Sequence, residues 1–125
     1  MMKSSWKLSF AVAVGGASGA LCRYILAMYV PLSTLLANIA GSFLLGAVTA
    51  YSTRNKINDW IKIGVGTGFC GGFTTMSTFS KETFELFARG NSWEGLLYVI
   101  TSLVGSLLFC LFGFLIGTKK MKGEE

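Results

Sequence analysis

The stretch that decides the fold is GFCGGFTTMSTFSKE, residues 68–82, because it interrupts what would otherwise be an apolar helix. Residues 61–73 give only 13 residues, about 20 Å of helix, which is too short to cross a bilayer. Gly71 and Gly72 weaken a helix, and the hydroxyl side chains after them compete for its main-chain hydrogen bonds. Those side chains belong to Thr74, Thr75, Ser77, Thr78 and Ser80. The sequence therefore predicts a break near residues 71–78, with helix resuming after it.

The rest of the chain has the composition of a membrane protein. Its 125 residues are 52% hydrophobic and include 16 Gly, one Pro and no His. Because about 20 apolar residues cross the hydrocarbon core of a bilayer, four segments are long enough to span it. They are residues 8–30, 34–53, 57–88 and 93–117. The connections are short, so residues 1–125 are predicted to form one all-α integral membrane domain of four transmembrane helices, the third of them broken.

Two features that often mark secreted or metal-binding proteins carry less weight in this chain. Lys3 and Lys7 precede an apolar run that ends in small residues, as in a secretory signal peptide. Cleavage there would place Arg23 at a new terminus, and a retained first helix is the simpler interpretation. The cysteines show no CxxC spacing and have no histidine partner, so we expect packing residues and neither a disulfide nor a metal site. They are Cys22, Cys70 and Cys110.

The glycine cluster VGGASGALCRY, residues 14–24, superficially matches a dinucleotide-binding loop. That motif requires a preceding strand and an acidic residue about 20 positions later, whereas the next acidic residue is Asp59. Gly15 and Gly19 instead form a small-xxx-small pair, which lets two helices approach closely in lipid. The same spacing recurs in the pairs Ala37 with Gly41 and Ser42 with Gly46. These pairs predict tight helix packing.

Polar side chains inside the spans are costly unless they find a partner or line a water-filled path. Irregular main chain at bilayer depth carries the same requirement, which favours an ion site at the predicted break. Asn38 and Ser42 share one face of the second span, and Asn38 either bonds a neighbouring helix or lines a path. Three hydroxyl residues four positions apart form a stripe that suits an anion losing its water, although each Ser could bond its own helix instead. The stripe consists of Tyr98, Ser102 and Ser106.

Three segments, in order and in register, are similar to the signature segments of the Fluc (CrcB) family of small fluoride channels. They are GGASGALCRY (15–24), LLANIAGSFLLG (35–46) and GFCGGFTTMSTFSKE (68–82). The resemblance implies a passive, non-enzymatic fluoride channel that exports cytoplasmic fluoride and gives fluoride resistance. It implies an antiparallel dual-topology dimer with two pores along its interface. It also implies a central structural Na+ that is not transported and is held by the backbone carbonyls of Gly71 and Thr74.

The resemblance further assigns residues to the fluoride pore. The second of two pore phenylalanines matches Phe79, whose ring edge carries positive charge. The first falls on Met76, a departure from the family pattern because a thioether has no aromatic edge. The polar residues of the pore match Asn38, Glu82, Tyr98, Ser102 and Ser106. Arg23 matches an arginine that attracts anions at the vestibule, whereas on its own it could simply snorkel to the headgroups.

The basic residues predict the orientation of the chain in the cell membrane. Eight lie on the side of both termini (Lys3, Lys7, Arg54, Lys56, Lys62, Lys119, Lys120 and Lys122), against three elsewhere (Arg23, Lys81 and Arg89). The positive-inside rule then places both termini in the cytoplasm. An antiparallel homodimer requires nearly balanced charge, so the bias favours pairing with a related subunit of opposite bias. The net charge of +5 suits anionic lipid headgroups, and no nucleic-acid partner is expected.

Two other functions remain open at this point. A small multidrug-type proton-coupled exporter shares the four short helices and antiparallel pairing, but it needs an intramembrane carboxylate. The first two spans contain no acidic residue, and Glu82 lies near the end of the third. A membrane assembly factor without transport would need only the glycine pairs.

Overall fold

The computed structural model describes residues 2–119, with the side chains of residues 5–118, and this part of the chain consists of helices joined by short connections. Three uninterrupted helices are α1 (Met2–Tyr29), α2 (Ser33–Arg54) and α6 (Ser92–Lys119). The third helix consists of α3 (Asp59–Ile63), a π-helical turn (Gly64–Cys70), α4 (Gly71–Phe73) and, after a break, α5 (Ser77–Ala88). The side chains of Lys3, Lys119, Lys120 and Lys122, which enter the orientation prediction, lie outside the described side chains.

Three helices are long and apolar enough to cross a membrane: Ser5–Tyr29, Ser33–Arg54 and Ser92–Thr118. The third helix is interrupted at residues 74–76, which belong to no helix. Thr74 begins the break with an extended main chain, φ −86° and ψ 159°. The break is shorter than the predicted range 71–78, because Gly71 and Gly72 remain helical. Glycine weakens a helix without ending it, and the helix ends only where the main chain finds other partners.

The helix α1 packs against the first half of the third helix at very short range. A Cβ atom built on Gly15 would collide with the carbonyl oxygen of Gly64, and one built on Gly19 would collide with that of Phe69. From the opposite side, a Cβ on Gly72 would collide with the carbonyl oxygen of Gly16. The close approach predicted from the Gly15 and Gly19 pair is confirmed.

The helix α2 packs along α6 in the same way. A Cβ on Gly46 would collide with the carbonyl oxygen of Cys110, and one on Gly113 with that of Phe43. Gly41 faces the break instead, since its Cβ would strike the side chain of Thr74. Glycines thus bring α2 close to both α6 and the break.

The described part of the chain buries little apolar side-chain volume of its own. Its buried apolar residues are Ala37, Ala50, Cys70 and Tyr98, whereas Cys22 is exposed. Large apolar side chains point outward along α6, and Leu107 is 72% exposed. Such a surface is suited to lipid or to a second subunit.

The glycine contacts predict different outcomes for two neighbouring substitutions. Gly19→Ala should lower the free energy of unfolding in detergent by about 1–3 kcal/mol, the usual cost of overpacking, because the methyl group would collide with the main chain at Phe69. Gly16→Ala is the matched control, since its Cβ would lie 3.7 Å from the nearest atom, the carbonyl oxygen of Gly68. Equal unfolding midpoints for the two variants would contradict this packing.

Candidate ion-binding site

Asn38 of α2 holds the break in the third helix through two hydrogen bonds. Its side-chain oxygen accepts the main-chain N–H of Thr75 at 2.8 Å. Its side-chain nitrogen donates to the carbonyl oxygen of the same residue at 3.0 Å. The amide side chain therefore replaces a main-chain partner for both polar groups of Thr75, which a bilayer would otherwise leave unsatisfied.

The main-chain carbonyl groups around the break differ in whether they have partners. The Cys70 oxygen accepts both the N–H (3.0 Å) and the hydroxyl (2.8 Å) of Thr74. The Gly72 oxygen accepts Nε of Arg23 at 3.2 Å. The carbonyl oxygens of Gly71 and Thr74 receive no hydrogen bond from any residue the structure describes. Gly71 and Thr74, the positions predicted as cation ligands, thus carry unpaired carbonyl oxygens at the break, as does Phe73 between them.

Arg23 lies half-buried on α1, and its guanidinium reaches the main chain of the third helix. From the sequence, this residue is expected at the vestibule or at the headgroups. In the structure its one described hydrogen bond ties α1 to the carbonyl group of Gly72, next to the break. Arg23 thus places a positive charge beside the broken segment.

The hydroxyl residues of the break serve the start of α5. The Thr75 hydroxyl oxygen accepts the main-chain N–H of Thr78 at 3.2 Å, as a helix cap does. The hydroxyl groups of Thr75 and Ser77 lie 3.2 Å apart. One main-chain N–H of the first turn of α5 thus has a side-chain acceptor within the break, in place of the carbonyl group that a preceding helical turn would supply.

Glu82 lies at the centre of a second polar cluster. The Thr34 hydroxyl donates to one carboxylate oxygen at 2.7 Å, and the Tyr98 hydroxyl donates to the other. Thr34 and Tyr98 are both buried. The rings of Phe79 and Tyr98 stack with centroids 5.3 Å apart and planes 19° apart. Thr34 was not among the predicted site residues, although it lies four residues before Asn38, on the same face as Asn38 and Ser42.

A groove of about 650 Å³ brings most of the predicted pore residues together between α2, the third helix and α6. The predicted pore and cation-site residues that line the groove are Asn38, Gly71, Thr74, Met76, Phe79, Ser102 and Ser106. Glu82, Tyr98 and Arg23 do not line the groove, and Phe79 connects it to the Glu82 cluster through its ring contact with Tyr98.

The buried hydroxyl of Ser102 has no hydrogen-bond partner among the described residues. The alternative that this Ser bonds its own helix is therefore wrong. An unpaired buried hydroxyl in a membrane protein is expected to bind a ligand or water. Here it lies on the wall of the groove.

Comparison with known proteins assigns the chain to a family. Residues 10–114 match the family model described as CrcB-like protein, Camphor Resistance (CrcB). The chain belongs to the CrcB family. Together with the three apolar helices, this membership makes it a multi-pass membrane protein, and members of this family are not enzymes.

Three curated relatives show how evenly the similarity covers the chain. The Bacillus subtilis protein named fluoride-specific ion channel FluC 2 is 44% identical over 118 residues, which are 90% of this chain and 89% of the relative. The protein of the same name from Halalkalibacterium halodurans is 38% identical over 94% and 91% of the two chains. The fluoride-specific ion channel FluC of Methanocaldococcus jannaschii is 41% identical over 82% and 87%.

The Glu82 cluster predicts a measurable role for Thr34. Thr34→Val keeps the shape of the side chain but leaves one carboxylate oxygen of Glu82 without its donor. We expect the free energy of unfolding to fall by about 1–3 kcal/mol, the cost of an unsatisfied buried polar group. The control is Thr49→Val on the same helix, because that exposed hydroxyl bonds only the carbonyl oxygen of Leu45 in its own helix. A Thr34 variant as stable as the Thr49 variant would refute the role.

Proposed function

We infer that this chain is a subunit of a fluoride-specific ion channel that exports cytoplasmic fluoride passively and gives fluoride resistance. The observation that carries this inference is 44% identity, over nine tenths of the chain, to a protein named a fluoride-specific ion channel. The groove supports it independently. Its lining residues include Ser102, whose buried hydroxyl has no partner among the described residues, and Phe79, whose ring edge carries positive charge.

Fluoride entering the groove must exchange its water for protein groups. Ser102 offers a hydroxyl that no described residue occupies, and Ser106 and Asn38 line the same groove. Phe79 adds the positive edge of an aromatic ring. Met76, at the other predicted aromatic position, is 68% exposed and lines the groove. It supplies volume and a polarizable sulfur but no positive edge. Of the two predicted aromatic positions, only Phe79 therefore offers fluoride a positive ring edge, and we call it the aromatic station.

The break suits a structural Na+. The carbonyl oxygens of Gly71 and Thr74 have no partner among the described residues, and a small hard cation prefers oxygen ligands of this kind. Two such oxygens from each of two subunits would supply four ligands. Na+ there supplies fixed positive charge, and Arg23 places a second one beside Gly72. Together these charges lower the barrier for an anion in a low-dielectric region.

The subunit pairs with a second, antiparallel subunit in this proposal. The rim of the groove carries exposed apolar side chains, among them Leu103 (52%), Leu107 (72%) and Met76 (68%). A partner seated there would cover this rim and close the groove into a pore. The uneven distribution of basic residues favours a related subunit of opposite bias, and by the positive-inside rule it supports a cytoplasmic location for both termini of this chain.

The exporter alternative requires a carboxylate that trades protons with a drug. The two oxygens of Glu82 are both engaged by hydroxyl donors, from Thr34 and Tyr98. No observation favours this alternative or a non-transporting assembly factor.

The aromatic station is tested by Phe79→Ile, which keeps an apolar side chain and removes the positive ring edge. We expect fluoride efflux from liposomes to fall by at least tenfold, with the dimer intact by size-exclusion chromatography. The control is Phe84→Ile, because Phe84 is on the same helix, is 72% exposed and does not line the groove. Parent-like efflux from the Phe79 variant would remove the aromatic station from the proposal.

The partner is tested by expressing the chain alone in cells without any homologue. We expect weak fluoride efflux, because one orientation cannot form an antiparallel pair, and restored efflux when a related subunit of opposite charge bias is co-expressed. A reporter fused to the C-terminus should report a cytoplasmic location. Strong efflux from the chain alone would show that it inserts in both orientations.

A further inference from the structure

The carbonyl oxygen of Gly71, just before the break, has no hydrogen-bond partner among the described residues. In a continuous α-helix this oxygen would accept the N–H of the residue four positions later, which is Thr75. In the structure that N–H donates to the side-chain oxygen of Asn38 at 2.8 Å. The donor that would cover the Gly71 oxygen is therefore held by another helix, 37 positions away in sequence.

The neighbouring carbonyl groups show that this pairing is selective. The oxygens of Cys70, Gly72 and Thr75 are occupied by Thr74, Arg23 and Asn38, respectively. Those of Gly71, Phe73 and Thr74 are not occupied by any described residue. Gly71 also lines the groove, and a Cβ built on it would meet no atom within 4 Å. The unpaired oxygen thus belongs to a residue that borders open space.

We propose that Asn38 is a positioning residue for the cation, in addition to lining the groove. By accepting the N–H of Thr75 it withholds the helical partner of the Gly71 carbonyl group, and by donating to the Thr75 oxygen it fixes the orientation of that peptide. This role rests on the proposed function, because it takes Na+ to be the ligand of Gly71 and Thr74. It differs from a pore role in acting on the cation through the main chain.

The two hydrogen bonds of Asn38 can be separated by substitution. Asn38→Leu has similar size and removes both bonds, so the Thr75 N–H is free to return to the Gly71 oxygen. Asn38→Asp keeps an oxygen that accepts the Thr75 N–H, but it replaces the donor to the Thr75 carbonyl group with a second acceptor oxygen. A carboxylate on the groove wall also repels an anion. The Asp variant should therefore retain Na+ and lose fluoride flux, whereas the Leu variant should lose both.

The test measures amide hydrogen exchange at residues 70–78 of the purified dimer, titrated with Na+ against N-methylglucamine. We expect Na+ to slow exchange in the parent. The Asn38→Leu variant should need at least about tenfold more Na+ for the same protection, the usual loss when a group that orients a metal ligand is removed. In the Asn38→Asp variant, the Na+ concentration that protects residues 70–78 from exchange should be close to that of the parent. Thr49→Val, on the same helix and outside the groove, is the control and should match the parent.

The outcomes separate this role from the sodium site itself. A parent without any Na+ effect would overturn the site and the role together. A parent with a Na+ effect and a Leu variant with the same midpoint would overturn the role alone, as would an Asp variant that loses Na+ as fully as the Leu variant. If the Leu variant does not fold, the Asp variant still tests the role, because loss of its Na+ protection would overturn it.

Discussion

The structure depends on the requirement that every main-chain polar group inside a bilayer has a partner within the protein. At the break in the third helix, Asn38 meets this requirement for both groups of Thr75. The Thr75 hydroxyl then caps α5 through Thr78. With these partners in place the chain can leave the helix for three residues, 74–76. Carbonyl oxygens that remain unpaired at the break, among them those of Gly71 and Thr74, are then available to a cation.

The glycine contacts supply the rigidity that such a break needs. α1 lies against the first half of the third helix at Gly15 and Gly19, and α2 lies against α6 at Gly46. Gly41 brings α2 up to Thr74, which allows the side chain of Asn38, one turn earlier, to reach the break. Close main-chain packing thus replaces the large apolar core of a soluble protein, and the outer apolar surface is left for lipid and the partner subunit.

Local sequence patterns predicted the break, the glycine contacts and the shared face of Asn38 and Ser42, because each follows from composition or from helical spacing. The patterns did not predict the π-helical turn Gly64–Cys70 or the helical state of Gly71 and Gly72. Thr34 was also missed, although the four-residue spacing before Asn38 would have pointed to it. The hydrogen bond from Arg23 joins residues 49 positions apart. Tertiary packing determines such pairs, and local periodicity carries no information about them.

The central claim is that a sodium ion at the break supports fluoride conduction through the adjoining groove. It is tested most directly by fluoride efflux from liposomes that contain the purified dimer, recorded with a fluoride electrode, with Na+ present or replaced by N-methylglucamine. We expect rapid fluoride efflux in Na+, with chloride retained, and a strong loss of fluoride efflux without Na+. Equal fluoride efflux in the two solutions, or no fluoride efflux in either, would contradict it.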